Sequence, residues 1–317
     1  RFIEDPEVVS VLRHRAAITL DARRAGSIEM TRERALLDQK PQFLWPSSSV
    51  LVDLARENRV KILRDQVILN SPIVVYSWDK IAKGLASSGY ARAEGPQRYR
   101  LDLAKLLRAV LENKSWSDLG VPDRYGSARM RSTDPNRSNS GFMFAGLSAN
   151  LLAGEVVTAA TLSGVEDRVA AIFAHMGYKP SSSGKMFEDY LAGGPGAQPL
   201  IIGYENQLVE WVLEDEDRWR RLETAAPSKP VILYPEPTVF SAHPLIAVAP
   251  EADTLIDVLM TREVQEIAWS KHGFRGPLGT STEPENAVVK NYILPQVDQV
   301  VPMPDIRTML ALIARLA

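Results

Sequence analysis

The chain has 317 residues, 45% of them hydrophobic and 24% charged, with 37 Lys and Arg against 39 Asp and Glu. An apolar fraction that high at a net charge of −2 excludes an intrinsically disordered chain, and the length suits about two domains. The balanced charge gives no support to a nucleic-acid partner. No apolar run reaches the roughly 18 residues that cross a bilayer. With no cysteine at all, disulfides, thiolate nucleophiles, iron–sulfur clusters and cysteine zinc sites drop out together.

The first residue is Arg1, not Met, and RFIEDPEVVSVL reads like the middle of a fold. A preceding segment is therefore expected, and any signal peptide or lipid anchor would lie in it. Asp5-Pro6-Glu7 before Val8, Val9, Val11 and Leu12 predicts a helix with an acidic cap and Pro at its first position. Ile18-Thr19-Leu20-Asp21 reads as a strand ending in the turn Ala25-Gly26-Ser27. Phe43-Leu44-Trp45 stops at Pro46, and Ser47-Ser48-Ser49 leads into Val50, Leu51 and Leu54 at helical spacing.

Val67-Ile68-Leu69 and Ile73-Val74-Val75-Tyr76 read as strands on either side of Asn70-Ser71-Pro72. Helices are predicted over about 78–85, 101–111, 140–152, 167–175 and 186–191, with a turn at Gly193-Gly194-Pro195-Gly196. Pro199-Leu200-Ile201-Ile202-Gly203-Tyr204 reads as a buried strand feeding a helix over 205–212. Two more strands, 231–234 and 245–248, precede helices near 253–260 and 261–271. A last helix after Pro304-Asp305 puts Ile306, Met309, Leu310, Ile313 and Leu316 on one face. Short buried strands alternating with helices predict an α/β architecture with mostly parallel sheets.

Several catalytic patterns fail on inspection. Gly177 and Gly184-Lys185 have the wrong spacing for a phosphate loop, and Met186 stands where a hydroxyl must reach magnesium. Gly194-Pro195-Gly196 precedes a strand, whereas the dinucleotide fingerprint follows one. A calcium loop starting at Asp134 has Asn139 at its glycine and Ala145 at its glutamate. His14, His175, His243 and His272 lack metal-ligand spacing, and no G-x-S-x-G marks a nucleophile. Neither a catalytic residue, nor a metal site, nor a cofactor is expected.

What recurs is a hydroxyl-rich turn at the start of a helix. The richest is Ser132-Thr133-Asp134-Pro135-Asn136-Arg137-Ser138-Asn139-Ser140-Gly141, leading into Phe142-Met143-Phe144-Ala145. The first N–H groups of a helix lack internal partners and sit at the positive end of its dipole. Small hydroxyls beside them add donors, and a glycine lets a ligand approach the backbone, which suits an oxyanion or a carboxylate. Ordinary N-capping is the competing reading of every one of these residues.

S-T-D-P-x-x-S-N-S-G before an apolar helix resembles the ligand-loop signature of bacterial extracellular solute-binding proteins. These have the type 2 periplasmic-binding fold, in the branch of molybdate-, tungstate- and sulfate-binding proteins. Further blocks resemble the family in the same order. Ala25-Gly26-Ser27-Ile28-Glu29-Met30 and Phe43-Leu44-Trp45-Pro46-Ser47-Ser48 are similar to its first two serine-bearing turns. Asn70-Ser71-Pro72 and the stretch from Tyr234-Pro235-Glu236 to Ala242-His243-Pro244 are similar to its crossings between lobes. Ser182-Ser183-Gly184-Lys185-Met186-Phe187 and Pro199-Leu200-Ile201-Ile202-Gly203-Tyr204-Glu205 are similar to its later loop and strand.

The resemblance implies a two-lobed α/β fold, each lobe a mostly parallel sheet flanked by helices, joined by two crossing strands. Lobe 1 would take residues 1–72 plus 242–317, with its first strand upstream of Arg1, and lobe 2 residues 73–241. Ser27, Ser48, Thr133, Ser138, Asn139, Ser140, Tyr204 and Glu205 would line an inter-lobe cleft that closes by hinge bending. Glu205 is the poorest of the set for an anion, and Arg137 is expected to point outward. The implied function is non-enzymatic. An extracytoplasmic monomer would capture a small polar ligand, an oxyanion or carboxylate in first place, for an ABC-type permease. The alternative is a ligand-sensing or adhesion domain of a larger surface protein, for example one fused to a von Willebrand A-type domain.

Overall fold

The computed structural model describes residues 1–225, 228–277 and 283–317. The chain divides into two compact units: unit 1 is Arg1–Ser71 with Ser241–Thr282, and unit 2 is Pro72–Phe240 with Glu283–Ala317.

Unit 1 opens with helix α1, Pro6–Ala16, whose first turn is capped as its sequence predicts: the Asp5 carboxylate accepts from the Glu7 N–H at 2.8 Å. There follow α2 (Ser27–Arg32), α3 (Arg34–Leu37), strand β1 (Phe43–Leu44), α4 (Val50–Glu57) and the first part of β2 (Arg64–Trp78). In unit 2, β2 continues into α5 (Asp79–Ser87), the hairpin β3 (Ala91–Ala93) and β4 (Arg98–Leu101), and α6 (Leu103–Leu111). Next come α7 (Asn139–Ala153), α8 (Glu166–His175), α9 (Ser183–Ala197), β5 (Ile201–Tyr204), α10 (Glu205–Glu214), α11 (Glu216–Ala225) and β6 (Pro230–Pro235). Strand β7 (Phe240–Ala247), α12 (Glu251–Leu259) and α13 (Arg262–His272) return to unit 1. The helices α14 (Ala287–Lys290) and α15 (Ile306–Arg315) end the chain in unit 2.

In unit 1, β7 lies between β1 and β2. Its residues alternate between two helical layers, as the two-residue period of a strand requires. Leu245 and Ala247 join Val8 and Leu12 of α1 and Ile256 and Leu259 of α12, while Ile246 joins Val52 and Ala55 of α4 on the other face.

In unit 2, β2 is a central strand. Val74, Val75, Tyr76 and Ser77 have no exposed surface; β5 pairs with Ile73–Tyr76 along one edge of the strand and β6 with Val75–Trp78 along the other. Every residue of α7 from Ser140 to Leu152 is buried, as an apolar sequence with no polar stripe demands.

Four sequence expectations change. Residues 18–21 form no strand, although Ile18 and Leu20 still pack on the unit 1 core. The two apolar runs around Asn70-Ser71-Pro72 are one strand, β2, since Pro72 ends no pairing that its neighbours cannot carry. The pairing is mainly antiparallel (β1 with β7, β2 with β5 and β6, β3 with β4), and only β4 with β6 among the named pairs runs parallel. Of these antiparallel pairs only β3 with β4 is a hairpin, whereas the others join strands that lie far apart in the chain with helices between them. Finally, residues 283–317 belong to unit 2 and not with 242–282. The apolar face of α15, with Met309, Leu312 and Ile313 buried, packs on α7 and α8.

Candidate functional site

The richest hydroxyl turn folds around Asp134. Its carboxylate accepts from the Asn136 N–H at 2.9 Å, and its carbonyl accepts from Arg137 and Ser138 at 3.2 and 2.8 Å. Asp134 is thus spent on the turn. Chain direction then switches into α7 at Ser138, whose side chain makes no capping bond to the helix.

The hydroxyls bond to one another instead. Thr133 Oγ1 and Ser140 Oγ lie 2.6 Å apart, and Ser140 Oγ and Ser138 Oγ 3.2 Å apart. Three hydroxyls carry three protons, and two bonds within the chain use two of them. One proton is left to donate outward, from a chain whose members polarise each other. Gly141 makes this closeness possible: a Cβ there would stand 2.3 Å from the Thr133 carbonyl oxygen.

Burial sorts the expected residues. Thr133 and Ser140 are buried behind the half-exposed Ser138 and Asn139, and Arg137 is exposed as expected. Asn139 donates from Nδ2 to the Tyr204 hydroxyl at 3.0 Å, which brings β5 and α7 together at one lip. Tyr204 is half-buried and precedes α10, where Gln207 Oε1 accepts from its N–H at 2.9 Å. Glu205 goes the other way. It is fully buried and accepts from the Tyr234 hydroxyl at 2.5 Å, so its carboxylate faces inward and is withdrawn from the set of ligand contacts.

The remaining two residues, Ser27 and Ser48, lie in unit 1. Ser27 opens α2, a helix that sequence reading replaced by a turn, and its Oγ accepts from the Ser47 N–H at 3.1 Å. The Ser47 carbonyl in turn accepts from the Ser241 hydroxyl at 2.7 Å. Both serine turns and the start of β7 are thereby tied together, with Ser48 buried beside them. The Ser27 hydroxyl keeps its own proton to donate, because the bond to Ser47 uses only a lone pair.

Sequence reasoning missed the residues that hold this frame. Tyr76, fully buried in β2, donates to the Tyr204 carbonyl at 2.5 Å and accepts from the Leu208 N–H at 3.3 Å. Desolvation pushes its pKa well above that of an ordinary tyrosine, so it stays a hydrogen-bonding phenol. Tyr234 bridges Glu205 and the Leu294 N–H, and Ser241 anchors unit 1's turn. A tyrosine inside an apolar strand is the one signal that pointed to the first two. Among the described residues, no group of three His, Asp or Glu gathers in a way that could hold a metal ion. No helix among them is long and apolar enough to cross a membrane.

No family model matches the chain, and no curated protein does. Solved structures match it over nearly its whole length. A protein from Bordetella parapertussis described as an extracellular solute-binding protein aligns at TM-score 0.63 and 9% identity, covering 99% of this chain and 93% of that one. Apo ferric ion-binding protein A from Pasteurella haemolytica aligns at 0.60 and 12%, covering 99% and 91%. A two-component system protein described as mediating signal transduction aligns at 0.54 and 12%, covering 96% and 95%. At such identities the likeness speaks for architecture alone. The fold of this chain is that of the two-lobed, type 2 periplasmic solute-binding proteins.

Proposed function

We propose that this chain is an extracytoplasmic solute-binding protein that captures a small polar ligand and passes it to an ABC-type permease, as a monomer and without catalysing a reaction. The observation that carries the reading is the Thr133–Ser140–Ser138 hydroxyl chain at the start of α7, on a fold shared with solute-binding proteins. Ser138, Asn139 and Tyr204 form its accessible lip, and Thr133 and Ser140 back it. Ser27 and Ser48 would add donors from unit 1.

An oxyanion or carboxylate is the favoured ligand. Fixed neutral donors and the positive end of a buried helix replace the water shell of an anion at no cost in reorganisation. With Glu205 turned inward, no carboxylate of the expected set opposes that charge.

A thermal-shift screen against oxyanions, carboxylates, sugars and amino acids tests it. Ligand at about 1,000 times its dissociation constant adds roughly 4 kcal/mol, a shift of several degrees. The shift should be selective and should vanish in Ser138→Ala/Ser140→Ala. If every compound leaves the wild-type melting temperature unchanged, the transport reading falls.

A second reading is a ligand-sensing domain of a larger surface protein, favoured by the likeness to a signal-transduction protein. The same ligand would bind under either reading. Partner capture separates them: a membrane permease for transport, a signalling module for sensing.

A further inference from the structure

Away from the hydroxyl chain, unit 2 contains a cavity of about 270 Å³. Trp116, Arg124, Tyr125, Ser127, Arg129 and Arg131 supply most of its wall, and none of its lining residues is acidic. The site is set apart from the hydroxyl chain by the strand geometry. Arg131 pairs with Ile201 at the start of β5, whereas Tyr204 and Asn139 meet at its end.

The wall is firmly built on one side. Gly194, at φ 66°, breaks α9 and turns the Pro195 and Gly196 carbonyls toward Arg124, which donates to them at 2.6 and 2.8 Å. The same guanidinium lies 5.1 Å from the Trp116 ring centre. Arg124 is therefore held by dipoles and a π-face, and its charge is matched by no carboxylate among the described residues. Arg129 and Arg131 likewise make no ion pair among the described residues, and only the Arg131 backbone is engaged, with Leu200 and Ile202.

Three guanidinium groups around one cavity repel each other, in a chain that elsewhere pairs most of its arginines on short ion bridges. A ligand carrying two or more negative charges removes that repulsion. It also presents oxygens that a planar guanidinium grips in pairs, as an ammonium cannot. The volume is at the lower end of small-molecule sites, which favours a compact ligand over a protein segment. The exposed Tyr125 offers apolar contact to whatever carries the charges.

We propose that this arginine-lined cavity is a second ligand site of the chain, for a compact polyanion such as a phosphate monoester or a polycarboxylate, separate from the hydroxyl chain at α7.

Titration calorimetry on the full chain with inorganic phosphate, AMP and citrate tests the assignment and separates phosphate from carboxylate ligands. At least one should bind the wild type, with an affinity that weakens as salt rises. Arg129→Gln/Arg131→Gln should weaken it about tenfold or more, as loss of charge-assisted hydrogen bonds does. Arg129→Lys/Arg131→Lys should recover part of the loss, since charge returns without the fork. Ser138→Ala/Ser140→Ala should spare the part of the binding that the arginine pair weakens, whatever it removes at the hydroxyl chain. Failure of all three compounds to bind the wild type overturns the proposal. Binding that the serine pair abolishes and the arginine pair spares overturns it as well, and assigns that binding to the hydroxyl chain instead.

Discussion

The two units carry the same sequence device, serines in a turn just before a helix, and put it to different structural use. In unit 1 the device is a fastener: Ser27 takes the Ser47 N–H, and Ser241 donates to the Ser47 carbonyl. In unit 2 the hydroxyls of Thr133, Ser140 and Ser138 bond to each other and leave the first turn of α7 without a side-chain cap. The difference lies in what stands opposite. Ser27 faces the backbone of another turn, whereas Ser140 faces a second hydroxyl brought within reach by the close packing of Gly141 on the Thr133 carbonyl. A serine before a helix is therefore no site by itself, and its hydrogen-bond partners decide.

Breaking unit 2's arrangement at its tightest point should give the largest effect. In Gly141→Ala the new Cβ meets a backbone carbonyl at 2.3 Å, so either α7 or the loop must move. A loss of about 3 kcal/mol in urea unfolding is expected, at the upper end for overpacking, together with loss of ligand binding. An unchanged midpoint would mean the loop yields freely and the hydroxyl chain is not held in place.

How far the sequence alone carried this reading depends on range. The all-apolar run of α7, the α15 face, the Asp5 cap and the strand into Tyr204 were legible, because each is written in a local apolar run, a local periodicity or one capping residue. Placement of 283–317 in unit 2 was not, since it depends on which partner α15 finds, and an apolar stripe does not name its partner. The hairpin of β3 and β4 was missed because its strands are only three and four residues long: Arg98-Tyr99-Arg100-Leu101 alternates, with Tyr99 and Leu101 buried, but over too short a run to stand out. Within the site, the hydroxyl types were legible, and the inward turn of Glu205 was not. That turn depends on Tyr234, which lies 29 residues away in β6.

Acid should act on the units unequally. His243, in the part of β7 that belongs to unit 1, has a buried Nδ1, and desolvation outweighs its backbone hydrogen bonds to hold its pKa down at about 4. The unfolded imidazole titrates near 6.5, so between those values the unfolded chain binds the proton more readily. The contribution is complete above pH 6.5 and disappears as pH falls toward 4, at most about 3 kcal/mol. Urea unfolding at neutral and mildly acid pH, in wild type and His243→Gln, isolates it. The variant should lose less stability on acidification, and equal losses would remove His243 from the account. The hydroxyl chain of unit 2 has no group that titrates in this range, so its ligand contacts should not follow the same profile.

The smallest change is the sharpest test of the comparison. Ser27→Ala deletes the acceptor of one half-buried backbone N–H, worth about 1 kcal/mol. Ser140→Ala costs a similar amount or more, because it leaves the fully buried Thr133 hydroxyl without its partner at 2.6 Å. Stability alone thus hardly separates the two serines. Binding does. If Ser27 is a fastener only, its variant loses stability and keeps wild-type affinity for the ligand, while Ser140→Ala loses both. If Ser27 also spends its free proton on the ligand, its affinity falls alongside that of Ser140→Ala. Calorimetric titration of the two variants with one ligand then shows whether unit 1 contributes a donor or only the frame that holds Ser48 and β7 in place.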